Sequence, residues 1–367
     1  MAVRRLAILG TGLIGASIGL AAKRAGVATV TGWDLDPDAS AVAAERGAIN
    51  TAAATLAAAV AGADLVVVCA PVGALAEQVA RALAGSFEET TVTDVGSTKT
   101  AVCAAAAGSE RFIGGHPMAG GEARGPAHAK AELFDGATWF LTPTAATPPE
   151  RYRLLHGFVG DLGATPVAVD PASHDRLVAL TSHLPHALAN LLVNQAGATR
   201  IEGHEPLAAA GGSLRDMTRV AGSNPRLWTE IFLQNRDAVL ESLREHRRLV
   251  EQLEAALVAD DAGFLAGWIG EAAVNRRRLL ERAFPDPGAL QRLSIHLPDR
   301  PGAFAEITQA LGAERINIED LELHHHSVER GGQLELIVAG ETEARRAAEI
   351  LRGQGYDVVV LPVLEAL

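Results

Sequence analysis

Cysteine is almost missing: the 367 residues carry only Cys69 and Cys103, both within Ala/Val-rich segments. Their spacing fits no metal-ligand or CxxC pattern, which argues against a disulfide scaffold and points to two reduced thiols in the cytoplasm. Positive charge is also short, since 32 Lys and Arg face 44 Asp and Glu and leave a formal net charge of −12. That balance speaks against nucleic acid or an anionic membrane as the main partner, and it obliges any anionic ligand to find a local basic pocket. No run is long and apolar enough to span a bilayer. Met1-Ala-Val-Arg-Arg ahead of the uncharged stretch Leu6 to Ala22 has the outline of a signal peptide. An export reading, however, would leave the next strand without a partner, and three of the stretch's four glycines keep a dinucleotide register. A chain of this length and ordinary composition, 48% hydrophobic and 21% charged, has room for two or three packed domains.

What is present begins with that register. Residues 3–9 read as a strand, Gly10-Thr-Gly12-Leu13-Ile14-Gly15 follows at once, and a helix runs to about Arg24. A second strand, Ala28 to Trp33, ends in Asp34, nineteen residues after Gly15. Gly10 makes the tight turn, Gly12 admits a pyrophosphate, and Gly15 lets helix and strand close together. An acid at Asp34 suits a ribose hydroxyl and repels a 2′-phosphate, so the pattern predicts NAD rather than NADP. The alternation continues: Asp64 to Ala70 is a buried strand closed by Pro71, 74–84 a helix, Thr90 to Val95 a strand, and 137–142 and 164–169 finish the sheet around a helix at 149–161. Ligands of such sheets sit beyond the carboxyl ends of the strands, where Ser97 and the Gly-Gly-His116-Pro-Met-Ala-Gly-Gly stretch converge. Ser97 also fits a helix N-cap. His116 is a candidate acid/base group in a turn, although a lone loop histidine is more often structural.

Beyond Asp170 the strand signal stops, and residues 173–282 read as helical with breaks at 203–206 and 222–225. His183 and His186 share a helix face beside Pro185, and Arg215 and Arg219 supply guanidinium groups for a carboxylate. A helix from Pro225 to about Asp260 repeats apolar residues in steps of four and three, a seam for packing within the chain or against a second subunit. Pro285-Asp-Pro287-Gly288 is a linker. After it the order is strand 291–297, helix 303–313, strand 316–325, strand 332–339, helix 342–354 and strand 356–363, a ferredoxin-like βαββαβ unit. The run His324-His325-His326 alternates faces on a strand and predicts no metal.

Several motifs together resemble the prephenate dehydrogenase family: G-T-G-L-I-G-A-S, D-V-G-S-T-K at 94–99, G-G-H-P-M-A-G at 114–120, H-D at 174–175, S-H-L-P-H at 182–186 and R-D-M-T-R-V-A-G-S-N-P-R-L-W at 215–228. D-R-P-G-A-F-A-E-I at 299–307, with I-N-I at 316–318, resembles an ACT regulatory domain. The resemblance implies a Rossmann-type doubly wound α/β domain over 1–170, an all-helical substrate and dimerisation domain over 171–285, and an ACT domain over 291–367. It implies NAD-dependent oxidative decarboxylation of prephenate, with arogenate as the alternative substrate. By that likeness His116 is the catalytic base and Ser97 orients the substrate hydroxyl. Arg219 anchors a carboxylate with Asp216 beside it, and His183, His186, Glu122 and Trp228 line the site. The cofactor is expected on Gly10, Gly12, Leu13, Ile14, Gly15, Asp34, Ala70 and Pro71. A tyrosine effector is expected at Asp299, Pro301, Gly302, Asn317 and Ile318. Gly121 departs from the Ser or Thr of many members. Two other readings stand beside this one, a dehydrogenase of similar architecture for another substrate and an amino-acid sensor whose nucleotide domain is catalytically dead.

Overall fold

Successive residues of β1 (Arg5–Leu9) feed opposite faces of a sheet. Leu6 and Ile8 enter one hydrophobic cluster, Ala7 and Leu9 the other. That two-sided burial explains the unbroken apolar run, because a parallel strand covered on both faces has no side left for polar residues. The computed structural model describes residues 3–121, 123–283, 286, 289–327 and 331–363; Glu122 and, within the linker, Pro285, Pro287 and Gly288 lie outside the described residues. After β1 come α1 (Leu13–Arg24), β2 (Thr29–Trp33), α2 (Pro37–Glu45), β3 (Thr51–Ala52), α3 (Leu56–Val60), β4 (Leu65–Val68), α4 (Leu75–Gly85) and β5 (Thr91–Asp94). The five strands are parallel in the order β3-β2-β1-β4-β5.

The next elements are α5 (Thr100–Ala105), β6 (Gly114–Pro117), β7 (Thr138–Thr142), α6 (Pro149–Asp161) and β8 (Thr165–Ala168). β7 and β8 do not finish the first sheet, as their pattern suggested, but form with β6 a second one in the order β6-β7-β8. The chain touches β5 through a single bridge, Val92 to Phe112, and then turns away. The Asp94 carboxylate accepts from the Gly115 amide at 3.0 Å, and β6 runs antiparallel to β7. His116 is therefore a strand residue paired with Phe140, not a turn residue.

The helical part comprises α7 (Pro171–Val178), a π-helical turn over 179–183, α8 (Leu184–Ala198), α9 (Gly212–Thr218), α10 (Pro225–Gln234), α11 (Arg236–Val258) and α12 (Ala262–Ala283). The single helix expected from Pro225 to Asp260 is broken at Asn235. Its buried side chain donates to the Asp175 carbonyl at 2.8 Å and lies 3.1 Å from His183 Nδ1, and these tertiary bonds override the helical pattern. No helix among the described residues is long and apolar enough to cross a membrane.

The C-terminal module runs β9 (Leu290–Leu297), α13 (Ala303–Ala313), β10 (Asp320–Ser327), β11 (Gly331–Ala339), α14 (Glu341–Gly353) and β12 (Val358–Pro362). It forms an antiparallel sheet in the order β10-β11-β9-β12, the ferredoxin-like arrangement. Leu293, Ile307, Leu311, Leu336 and Leu351 meet in its core. β10 starts four residues later than its sequence suggested. Arg315 adopts φ +59° to leave α13, and Ile316 folds back with its amide on the Leu311 carbonyl. By its internal contacts the chain divides into two compact units, Met1–Arg248 and Leu249–Leu367.

Candidate active site

The turn after β1 is shaped for close approach. A Cβ on Gly10, at φ +101°, would meet the Cys69 carbonyl oxygen at 2.4 Å, and one on Gly15 would meet the Gly10 oxygen at 2.0 Å. Gly12, at the start of α1, has nothing within 4 Å of the Cβ position, leaving its backbone open to a bulky anion. Asp34 is held at the end of β2 by the Thr11 amide at 2.6 Å and the Asp36 amide at 3.0 Å. Oδ2 also takes the Thr11 hydroxyl at 3.3 Å, and Oδ1 keeps a lone pair for a hydroxyl donor.

At the ends of β5 and β6 a buried ion pair ties the two candidate catalytic segments together. Lys99 and Asp94 are both fully buried and bonded to each other; Lys99 Nζ also donates to the Gly115 carbonyl at 2.8 Å. Asp94 accepts in addition from the Gly96 amide at 2.8 Å. Gly115 precedes His116 and Gly96 precedes Ser97, so one carboxylate–ammonium pair sets both side chains. Ser97 does not cap a helix. Its hydroxyl is buried and has no partner among the described residues. A buried hydroxyl without a partner is costly, and one just past the carboxyl end of a parallel strand fits a ligand's oxygen. Burial, followed by the neighbouring His174, Lys99 and His183, holds the His116 imidazole well below the usual 6.5. It is therefore neutral and able to accept a proton at neutral pH.

Asp175 occupies the helix start after Ser97. Its carboxylate takes the Lys99 amide at 2.7 Å and the Thr100 amide at 2.8 Å, so α5 is capped from α7. His174 and Asp175 carry geometry that their sequence motif did not disclose. His174 Nε2 lies 2.9 Å from His116 Nδ1, and His174 Nδ1 lies 2.8 Å from Asp175 Oδ1. The π-helical turn ending at His183 brings that residue inward, and Pro185 follows within the first turn of α8. His183 is buried and its pKa falls to about 4, chiefly from burial. Unfolded, both histidines would take a proton near 6.5. Folded, they take it only at lower pH, so acidification favours the unfolded chain. The melting temperature should thus fall as pH drops from 7 to 5, a window above most carboxylate titrations; a flat profile would contradict the two neutral histidines.

A cavity of about 940 Å³ opens beyond His183, whose ring meets that of the lining residue Trp228; Ser97 and His116 are not among the residues that line it. Pro71 and Gly121 contribute from the loops after β4 and β6, and His186, Arg219 and Trp228 from the helical part. His186 stacks on Trp228 with ring centroids 3.4 Å apart, while its Nδ1 donates to the Ser182 carbonyl at 3.0 Å. Arg124 and Arg226 line the same cavity as Arg219, which places three guanidinium groups there in a chain of net charge −12, Arg226 being paired with Glu230 at 3.6 Å. Asp216, on α9, is exposed and does not line the cavity, and His183 lies behind it, against Asn235. Arg124 and Asn235 escaped sequence reasoning because neither stands in a motif whose spacing announces a role. In the C-terminal module, Gly302 takes φ +89° at the start of α13, and Arg300 bonds Glu306, at 2.7 Å for one of two contacts. Asn317 lies on the extended stretch before β10, not within a strand, and donates to Glu319 at 2.8 Å.

The sequence matches three family models: "Prephenate dehydrogenase, nucleotide-binding domain" over residues 18–168, "Prephenate dehydrogenase, dimerization domain" over 170–271, and "ACT domain" over 291–353. It is 32% identical over 357 residues to the prephenate dehydrogenase of Bacillus subtilis (strain 168), covering 95% of each chain. The fold is similar to the crystal structure of prephenate dehydrogenase from Aquifex aeolicus in complex with hydroxyphenyl propionate and NAD+. That likeness has a TM-score of 0.72 and 27% identity, over 76% of this chain and 99% of that one. Synechocystis arogenate dehydrogenase is similar with a TM-score of 0.68 and 30% identity, over 75% and 99% of the two chains.

Proposed function

The chain belongs to the prephenate dehydrogenase family, and on that premise we propose that it catalyses the NAD-dependent oxidative decarboxylation of prephenate. The observations that carry the reading are a part-buried, neutral His116 and the unpartnered Ser97 hydroxyl, each next to backbone that the Lys99–Asp94 pair holds. Ser97 orients the ring hydroxyl of the substrate, and His116 removes its proton as the carbon that bears it is oxidised. NAD, when bound, supplies the hydride acceptor. The open backbone at Gly12 and the pinned Asp34 carboxylate suit its pyrophosphate and ribose, with Leu13, Ile14, Ala70 and Pro71 around them. Carbon dioxide then leaves and the ring becomes aromatic, which makes the step effectively irreversible.

The substrate carries two carboxylates, and the cavity offers Arg219 and Arg124 to meet them, with His186 and Trp228 around its side chain and His183 behind Trp228. Apolar residues exposed on the lone chain, Val250 and Leu257 of α11 with Trp268 and Ile269 of α12, suit a homodimer contact. In the module after the linker, the turn Asp299 to Gly302 with Asn317 and Ile318 suits an amino-acid effector, tyrosine being what the keto-acid product, 4-hydroxyphenylpyruvate, becomes on amino transfer. Residues 1–170, 171–285 and 291–367 are then the catalytic, substrate and regulatory domains.

The test is a side-by-side rate measurement with prephenate and arogenate, each with NAD and with NADP, followed at the reduced nicotinamide absorbance. Prephenate with NAD should give the highest kcat/KM. A preference for arogenate would transfer the assignment to the alternative substrate, and a preference for NADP would remove Asp34 from its role. Tyrosine added to the same assay should inhibit without raising the KM for prephenate; purely competitive inhibition would place the effector at the catalytic cavity.

A further inference from the structure

The contacts behind His116 form a continuous line from a carboxylate to its ring. Asp175 is anchored at the start of α5 by two backbone amides, and a carboxylate in that position can only accept. Burial works to raise its pKa, but hydrogen bonds from His174, Thr100 and Lys99 hold it below the usual range. His174 is fully enclosed, with Phe140 edge-on to its ring at 5.4 Å. Its Nδ1, 2.8 Å from Asp175 Oδ1, must therefore carry the hydrogen. In the neutral ring that leaves Nε2 bare, and Nε2 lies 2.9 Å from His116 Nδ1. The hydrogen between the two rings then belongs to His116 Nδ1, and the lone pair of His116 is on Nε2, the nitrogen directed away from His174.

We propose that His174 and Asp175 are positioning residues that fix the tautomer of His116, so that Nε2 is the atom that takes the substrate's proton. This rests on His116 being the proton acceptor proposed above. In the step the substrate O–H bond breaks and an N–H bond forms at Nε2, and the resulting positive charge is shared across the Nδ1–H bond with His174. Only one of the two rings carries the extra proton at a time. The charged and titratable groups facing His116 are Lys99, already satisfied by Asp94, together with His174, His183 and Asp175. Of these, Asp175 is the one whose charge favours the imidazolium. The arrangement extends, by one ring, the logic by which a buried carboxylate orients a catalytic histidine.

Two variants separate this role from packing. His174→Gln keeps an acceptor near the position of Nε2, within reach of His116; His174→Asn reaches only as far as the Nδ1 position and loses the contact. His174→Asn should lower kcat by about 10- to 100-fold, the usual cost of an outer partner of a functional imidazole. It should also move the acid limb of the kcat/KM profile to lower pH, because the imidazolium loses its acceptor. His174→Gln should restore most of both. Parent-like rates and an unmoved limb in His174→Asn, or equal losses in the two variants, would overturn the proposal. On the unaltered protein, ¹⁵N-histidine NMR should show His116 with a protonated Nδ1 and a bare Nε2 at pH 8; the opposite tautomer would also overturn it. Turnover surviving in His116→Asn would instead defeat the proton-acceptor assignment, and this inference with it.

Discussion

His116→Asn should lower kcat by about 10²- to 10⁴-fold while the affinity for NAD stays within a few-fold of the parent, the range expected when general-base assistance is lost. The substitution is chosen for its shape. An Asn amide nitrogen falls near the position of the imidazole Nδ1, so the contact to His174 Nε2, now 2.9 Å, can persist while the basic nitrogen is removed. The strand should tolerate it, because the backbone of β6 is held by pairing with β7 and by the Asp94 carboxylate on the Gly115 amide. A dinucleotide titration by fluorescence, alongside steady-state rates, distinguishes lost chemistry from lost binding. Near-normal turnover would remove His116 from the mechanism. A rate loss matched by an equal loss of dinucleotide affinity would reassign it to cofactor binding.

Lys99→Met is expected to cost about 3–5 kcal/mol of folding stability, the range for removing one partner of a buried ion pair. The size follows from what is left behind. Asp94 is wholly enclosed, and without the ammonium its charge would keep only the amides of Gly96 and Gly115. Arg345→Met offers the contrast, since its partner Glu341 is an exposed neighbour on α14. Such surface pairs contribute roughly 0–1 kcal/mol. Urea unfolding of the two variants should therefore differ severalfold in the stability lost. The double variant Lys99→Met/Asp94→Asn should lose less than the sum of its parts, because the uncompensated charge is gone. Similar losses for Lys99→Met and Arg345→Met would mean that the buried pair is no more than a replaceable contact.

Much of this protein was legible along the chain because the signals were local. The turn at Gly10, Gly12 and Gly15 is dictated by backbone space within a few residues, and a Cβ at Gly10 or Gly15 has no room. The alternation of strand and helix up to Asp94, apart from α2, β3 and α3, and the βαββαβ order after the linker are periodicities of short stretches, and α6 and α13 span the residues their patterns indicated. Membership in the family was legible for the same reason: its motifs are contiguous runs that need no folding to be read.

What only the tertiary structure decided depends on bonds between distant parts of the chain. Asn235 breaks a helix that its own neighbours favour, because Asp175 and His183, some sixty and fifty residues earlier, claim its side chain. β6 leaves the first sheet because Asp94 takes the Gly115 amide across 21 residues. The helix start after Ser97 belongs to Asp175, 76 residues from the Lys99 amide it accepts. The line from Asp175 through His174 to His116 joins positions 58 residues apart at its second link. Local sequence determines which residues can turn, cap or titrate. Which of them meet is settled by burial, since a polar group removed from water must find its partner wherever the fold has brought one.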